Sequence, residues 1–177
     1  MVRLKVAGMI CVVIGFIVCA DAVPARAQDK LAVPCFEELI LKNSCELEQI
    51  YRQAKPGTFP VGFARGHVIY RQNEPLAHSK ERVTALLWHG KHFSADGTLI
   101  NQWAGVRAIR AKVHFGESWL DGQQSIILDY SDTSLLWSDV RDEMREVAPG
   151  LYVGAMYRGR CQQLKLYFVL QTTGCCN

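Results

Sequence analysis

The residues best able to do chemistry crowd into one stretch, DVRDEMREVAPGLYVGAMY, residues 139–157. Asp139, Asp142, Glu143 and Glu146 mix with Arg141 and Arg145 in its first half, and apolar and aromatic side chains fill its second. Carboxylates beside guanidiniums can move protons, orient a polar ligand, or simply form the wet face of a hairpin. Two periodicities compete over 139–147. Leu136, Val140, Met144 and Val147 recur at helical spacing, whereas Val140, Asp142, Met144 and Glu146 share one face of a strand. A helix stacks Arg141 over Arg145 and Asp142 over Glu146, like charges four apart, each pair costing roughly 0.2–0.5 kcal/mol. A strand puts Arg141, Glu143 and Arg145 on a wet face in alternating sign, and it runs on through Pro149-Gly150 into Leu151–Tyr157. The strand is the favoured reading. An L-Pro-Gly pair does not match the hand of the tightest hairpin turns, so a slightly longer loop is expected there.

On the strand reading Asp142 shares the apolar face with Val140 and Met144. A carboxylate in that position needs a partner or a raised pKa. Arg107, in phase with Ile109 and Val113, is the expected ion-pair partner, and Tyr157 an expected hydrogen-bond donor. The preferred reading of this group is a buried pair that fixes strand register. The functional reading is a polar anchor at the bottom of a ligand cavity, with Arg107, Asp142 and Tyr157 as the polar end and Trp103 and Tyr130 beside them. Trp88, Trp103, Trp119 and Trp137 either line such a pocket or plug the core and the barrel ends.

Other groupings carry less. His89 and His92 lie three apart, which on a strand points them to opposite faces, and neither C-x-x-C nor H-E-x-x-H spacing occurs. No metal is assigned. Ser131 or Ser134 with Asp129 and a histidine would make a hydrolase triad, but there is no G-x-S-x-G elbow. Asp129-Tyr130-Ser131-Asp132 reads instead as a strand end entering a turn. No catalytic residue and no cofactor follow from the sequence.

The elements that must hold these residues are mostly strands. Ile109, Ala111, Val113 and Phe115 alternate with Arg110, Lys112 and His114, and Leu164, Leu166, Phe168 and Leu170 alternate with Gln163, Lys165 and Tyr167. Ile126–Tyr130 is a short apolar strand, and Asp96-Gly97 and Asp121-Gly122 are turns. Residues 34–54 read as helix, broken near Asn43, where Asn43 and Glu46 resemble a capping box. A further short helix is expected from Ser79 to Trp88, with Ser79 as its cap. Strands joined by short turns imply an antiparallel meander, and closure into a barrel removes the edges that a sandwich would expose.

Several of these motifs occur together in a known family. They are Trp88-His89-Gly90-Lys91-His92-Phe93, Ser118-Trp119-Leu120-Asp121-Gly122, Asp129-Tyr130-Ser131 with Thr133-Ser134, and Val140–Val147 followed by Pro149–Gly154. Over about residues 44–170 the chain resembles a family of small bacterial proteins with a lipocalin-like (calycin-type) β-barrel. The resemblance implies an antiparallel up-and-down β-barrel preceded by a helical segment. It implies no reaction and transfers no catalytic residue.

The chain starts with Arg3 and Lys5, continues with an apolar run from Val6 to Ala20, and offers Ala25-Arg26-Ala27 as a cleavage site. That order is expected of a signal peptide over 1–27, leaving a single domain over 28–177. The apolar run falls short of the roughly 20 residues of a spanning helix, so no transmembrane anchor is expected after cleavage. Removing 1–27 takes Arg3, Lys5, Arg26 and Asp21 and leaves 17 basic and 16 acidic side chains. Nothing in so even a balance suggests a nucleic-acid or anionic-membrane partner, since those need concentrated positive charge. Cys35, Cys45, Cys161, Cys175 and Cys176 remain. In an oxidising compartment Cys35 or Cys45 is expected to bond with Cys175 or Cys176, and the odd number leaves at least one thiol over.

The sequence thus predicts a periplasmic or secreted barrel that binds a small hydrophobic or amphipathic ligand. Its alternatives are an enzyme, hydrolase-like, using the acid–base cluster, and a solidly packed envelope protein that binds another protein. An interior cavity on the order of several hundred cubic ångströms separates the first from the last.

Overall fold

Eight strands follow one another around a closed antiparallel barrel, each paired with its neighbours in sequence and β1 with β8. They are β1 Gly62–Tyr70, β2 Trp88–Phe93, β3 Thr98–Trp103, β4 Val106–Glu117, β5 Gln124–Asp129, β6 Val140–Ala148, β7 Leu151–Arg158 and β8 Gln163–Thr172. Three helices complete the fold: α1 Phe36–Leu39, α2 Ser44–Gln53 and α3 Ala77–Leu87. The structure is a computed structural model and describes residues 34–71 and 75–172. The expected signal peptide over 1–27 and the cysteines Cys175 and Cys176 lie outside the described residues. Cys35, Cys45 and Cys161 are free thiols.

Alternation builds the interior. Ala64, Val68, Phe93, Leu99, Val113, Ile126, Leu128, Met144, Leu166, Phe168 and Leu170 point inward and form one core. An eight-stranded barrel is just wide enough to be filled by side chains or to hold one small ligand. Two inward glycines make room for the largest rings. A Cβ at Gly66 would overlap Trp88, and one at Gly154 would overlap Phe168.

A second core lies outside the barrel. Phe36, Leu39, Leu47 and Tyr51 of α1 and α2 pack on Val153, Ala155, Tyr157, Tyr167 and Val169. The break between the two helices falls at Asn43, whose side chain accepts from Cys45 N and Glu46 N while Glu46 reaches back to Asn43 N, a reciprocal cap. The third helix begins two residues before Ser79, which lies inside it and caps nothing; its N-cap Leu76 makes no side-chain cap bond.

Residues 140–148 are a strand, and Asp142 points inward. Arg141, Glu143 and Arg145 were expected to face water. Instead Glu143 and Arg145 are fully buried. The outer face of β6 is roofed by α2 and the β4–β5 turn, and that turn supplies the opposite charge: Asp121 binds Arg145 through both carboxylate oxygens, at 2.8 and 2.6 Å. The β6–β7 connection is only Pro149-Gly150, shorter than expected. Gly150 takes φ 70, and a register shift between Glu146 and Ala148 absorbs the mismatch in hand.

Candidate functional site

The site is built on the inward faces of β2, β3, β5 and β6. Lys91 and Phe93 alternate inward on β2, facing Asn101 and Leu99 across the Asp96-Gly97 turn. Tyr130 follows β5, and Asp142 lies on β6. These four side chains converge. Lys91 Nζ donates to Asp142 Oδ2 at 2.9 Å, to Tyr130 Oη at 2.8 Å and to Asn101 Oδ1 at 2.9 Å. Tyr130 donates to Asp142 Oδ2 at 3.0 Å, and Trp88 Nε1 donates to Asn101 Oδ1 at 3.1 Å. Asn101 Nδ2 donates to Ile109 O and to Tyr130 Oη. The ammonium also lies 5.4–5.5 Å from the Trp88, Tyr130 and Phe168 ring centres. Burial first, and then the Asp142 carboxylate, raises the Tyr130 phenol well above its usual pKa, so it stays a donor.

This cluster forms the polar part of a cavity of about 90 Å³, otherwise walled by Val68, Tyr70, Trp103, Ile109, Trp137 and Met156. Trp103 and Trp137, with ring centres 6.2 Å apart, mark its outer side. Trp103 Nε1 is buried and has no hydrogen-bond partner. An unpaired buried donor costs roughly 1–3 kcal/mol unless something accepts from it.

Of the residues the sequence pointed to, Asp142, Tyr130, Trp88, Trp103 and Trp137 border this cavity, and Trp119 does not. Arg107 and Tyr157 do not. Ile109 adopts φ 65, and the β3–β4 register shifts between Ile100 and Asn101. That bulge reverses the phase of β4, so Arg107 is exposed and pairs in register with Gln102, while Lys91 takes the place beside Asp142. Tyr157 points out of the barrel into the helix-covered core, where burial first and Glu143 second raise its phenol.

Lys91 and Asn101 were missed. Their signal was the shared face of Lys91 and Phe93 and of Leu99, Asn101 and Trp103, which the glycine at position 90 obscures. Gly90 is part of a bulge, at φ 137. His89 is exposed, and His92 meets Gln102 at 2.7 Å. Among the described residues no group of three or more His, Cys, Asp or Glu side chains is arranged to hold a metal. Ser131 binds Asp129 through its backbone N–H, which is the turn geometry.

A second polar cluster lies on the opposite side of β6. Arg145 donates to Asp121, Ser125 Oγ at 2.9 Å and the carbonyls of Tyr51, Gln123 and Gln124. Glu143 accepts from Ser118 Oγ at 2.6 Å and Trp119 N at 2.9 Å. Both are buried under α2 and do not line the cavity that holds the Lys91 cluster. Their role is to fasten the helix to the barrel.

No family model and no curated protein matches this chain. A crystal structure of a protein from Thermomonospora curvata is similar in fold, with TM-score 0.51 and 20% sequence identity, covering 73% of this chain and 87% of that one. The likeness carries the barrel and nothing about a ligand.

Proposed function

We propose that the barrel binds a small amphipathic molecule carrying a hydrogen-bond acceptor at the Trp103 end of the cavity, in the manner of a lipocalin-like carrier. The observation that carries this reading is the interior cavity, whose lining residues include Trp103 with its buried, partnerless Nε1. A carbonyl or ether oxygen would satisfy it. The cavity is about 90 Å³, short of the several hundred cubic ångströms expected to separate a ligand barrel from a packed one and below the roughly 150 Å³ of an engineered cavity that holds benzene. The buried part of the ligand is therefore small, and a longer tail would leave past Trp103 and Trp137. The Lys91–Asp142–Tyr130 cluster favours binding over proton transfer, because Lys91 already spends three donors within it. An export signal over 1–27 would make such a carrier periplasmic or secreted.

Native mass spectrometry of protein purified from its own cells tests the reading. A retained small molecule is expected, and Trp103→Phe, which keeps an aromatic ring but removes the donor, should lose it while melting close to wild type. Ligand-free preparations, together with no change in tryptophan fluorescence on adding small ketones, ethers and alcohols, would leave a packed barrel as the better description.

A further inference from the structure

Helix α3 is built inside out. A surface helix normally turns its apolar stripe to the core and its polar residues to water. Here the inward positions are Glu81, whose carboxylate accepts from Tyr70 N at 2.7 Å, and Thr84, whose hydroxyl meets Tyr70 Oη at 3.3 Å. Val83 and Leu86 point outward, 56% and 76% exposed, and Leu76 just before the helix is 76% exposed.

The topology gathers more apolar surface at the same end. In an up-and-down barrel the β1–β2, β3–β4, β5–β6 and β7–β8 connections share one rim. Ala104 N bonds to Leu87 O, joining the β3–β4 turn to α3, and Gly159 N bonds to Asp139 O, joining the other two. Val106 at the start of β4 is 64% exposed, and Leu135 and Leu136 on the β5–β6 loop are 99% and 82% exposed. Trp103 and Trp137 bring the interior cavity to this rim.

Charge decides what covers it. Arg82, Arg107 and Arg160 are exposed at this end. Of the acids there, among the described residues, Asp132 and Asp139 are ion-paired with Lys112 and Arg158, whereas Glu81 and Asp129 accept from the backbone N–H groups of Tyr70 and Ser131 and keep their charge, so the three arginines leave a small local excess of positive charge. A second copy docking through the same face would bring like arginines together, which a two-fold contact penalises. A bilayer with anionic headgroups accepts both features, leucines at the acyl boundary and arginines at the phosphates. Among the described residues no helix is long and apolar enough to cross a membrane, so the rim would lie on the surface.

We infer that the α3 rim of the barrel docks on anionic lipid bilayers. Flotation of the purified protein with vesicles of three parts phosphatidylcholine to one part phosphatidylglycerol is the test. Binding is expected to these vesicles, to weaken about five-fold for each of Arg82, Arg107 and Arg160 replaced by serine, and to be much weaker on phosphatidylcholine alone. A Leu86→Ser, Leu135→Ser, Leu136→Ser variant should lose binding on the order of tenfold or more, with melting unchanged because all three side chains are in water. No binding to either vesicle, equal binding to both, or arginine variants that bind like wild type would each overturn the inference. So would self-association in sedimentation that vanishes in the leucine variant, since the rim would then cover a second copy. The vesicle readout needs nothing in the cavity, so it succeeds or fails independently of the ligand reading.

Discussion

Lys91 and Asp142 are 4% and 6% exposed, and their charges lie 2.9 Å apart in an otherwise apolar barrel. Removing one charge leaves the other in a medium that cannot solvate it. Lys91→Met should therefore cost about 3–5 kcal/mol in urea denaturation. Lys91→Met with Asp142→Leu should recover much of that loss, because the pair itself is close to neutral against apolar residues of similar size. A double variant no more stable than Lys91→Met would refute the coupling. The inward direction of Asp142 was legible in the sequence, since alternation with Val140 and Met144 is local. Its partner was not. Choosing Arg107 assumes unbroken alternation along β4, and a single left-handed residue, Ile109, shifts the phase. Bulges are set by how strands pair across a closed barrel, and the strand's own residues carry little trace of them.

At the scale of elements, the question is how α2 stays on the barrel. Its start is fixed locally by Asn43 and Glu46, and Asn43→Ala should cost about 1 kcal/mol in stability. Both were legible, as capping depends on residues three apart. The far side of α2 is held by Arg145 and Asp121, which lie far from the helix in sequence; Arg145 reaches the Tyr51 carbonyl across 94 residues. A charge alternating along β6 looks like a wet face until a roof with matching charges is known. The hydrogen bonds from Arg145 hold the Asp121 carboxyl below its usual pKa. The folded value is depressed, so this stabilisation is complete above the unfolded value near 3.9 and is lost as pH falls through the folded one. Wild type should therefore exceed Asp121→Asn in stability at neutral pH, and the gap should shrink toward about pH 3. A gap that stays constant in urea titrations across that range would show that Asp121 does not act through its charge.

The whole barrel is unevenly dressed. The sequence foresaw a closed antiparallel barrel because short turns and one-sided strands leave edges that only closure removes. It did not foresee that the wall is two layers thick on one side and one layer on the other. α1 and α2 cover β6, β7 and β8, whose outward residues Val153, Ala155, Tyr167 and Val169 are buried. The outward residues of β4 include Arg110, Lys112 and His114, all exposed, and its pairing with β3 is interrupted by the bulge at Ile109. Local opening costs less where fewer apolar contacts must break. Amide hydrogen exchange should thus be slowest in β7 and β8 and fastest, among the strands, in β3 and β4 near Asn101 and Ile109. That thin wall carries Asn101 and Trp103, so the part of the barrel freest to open is the part that borders the cavity. Uniform protection around the barrel, or β3 and β4 outlasting β8, would break the link between the helical coat and the mobility of the site. Protection ordered as expected would tie the easiest local opening of the barrel to the uncovered strands that border the cavity of about 90 Å³.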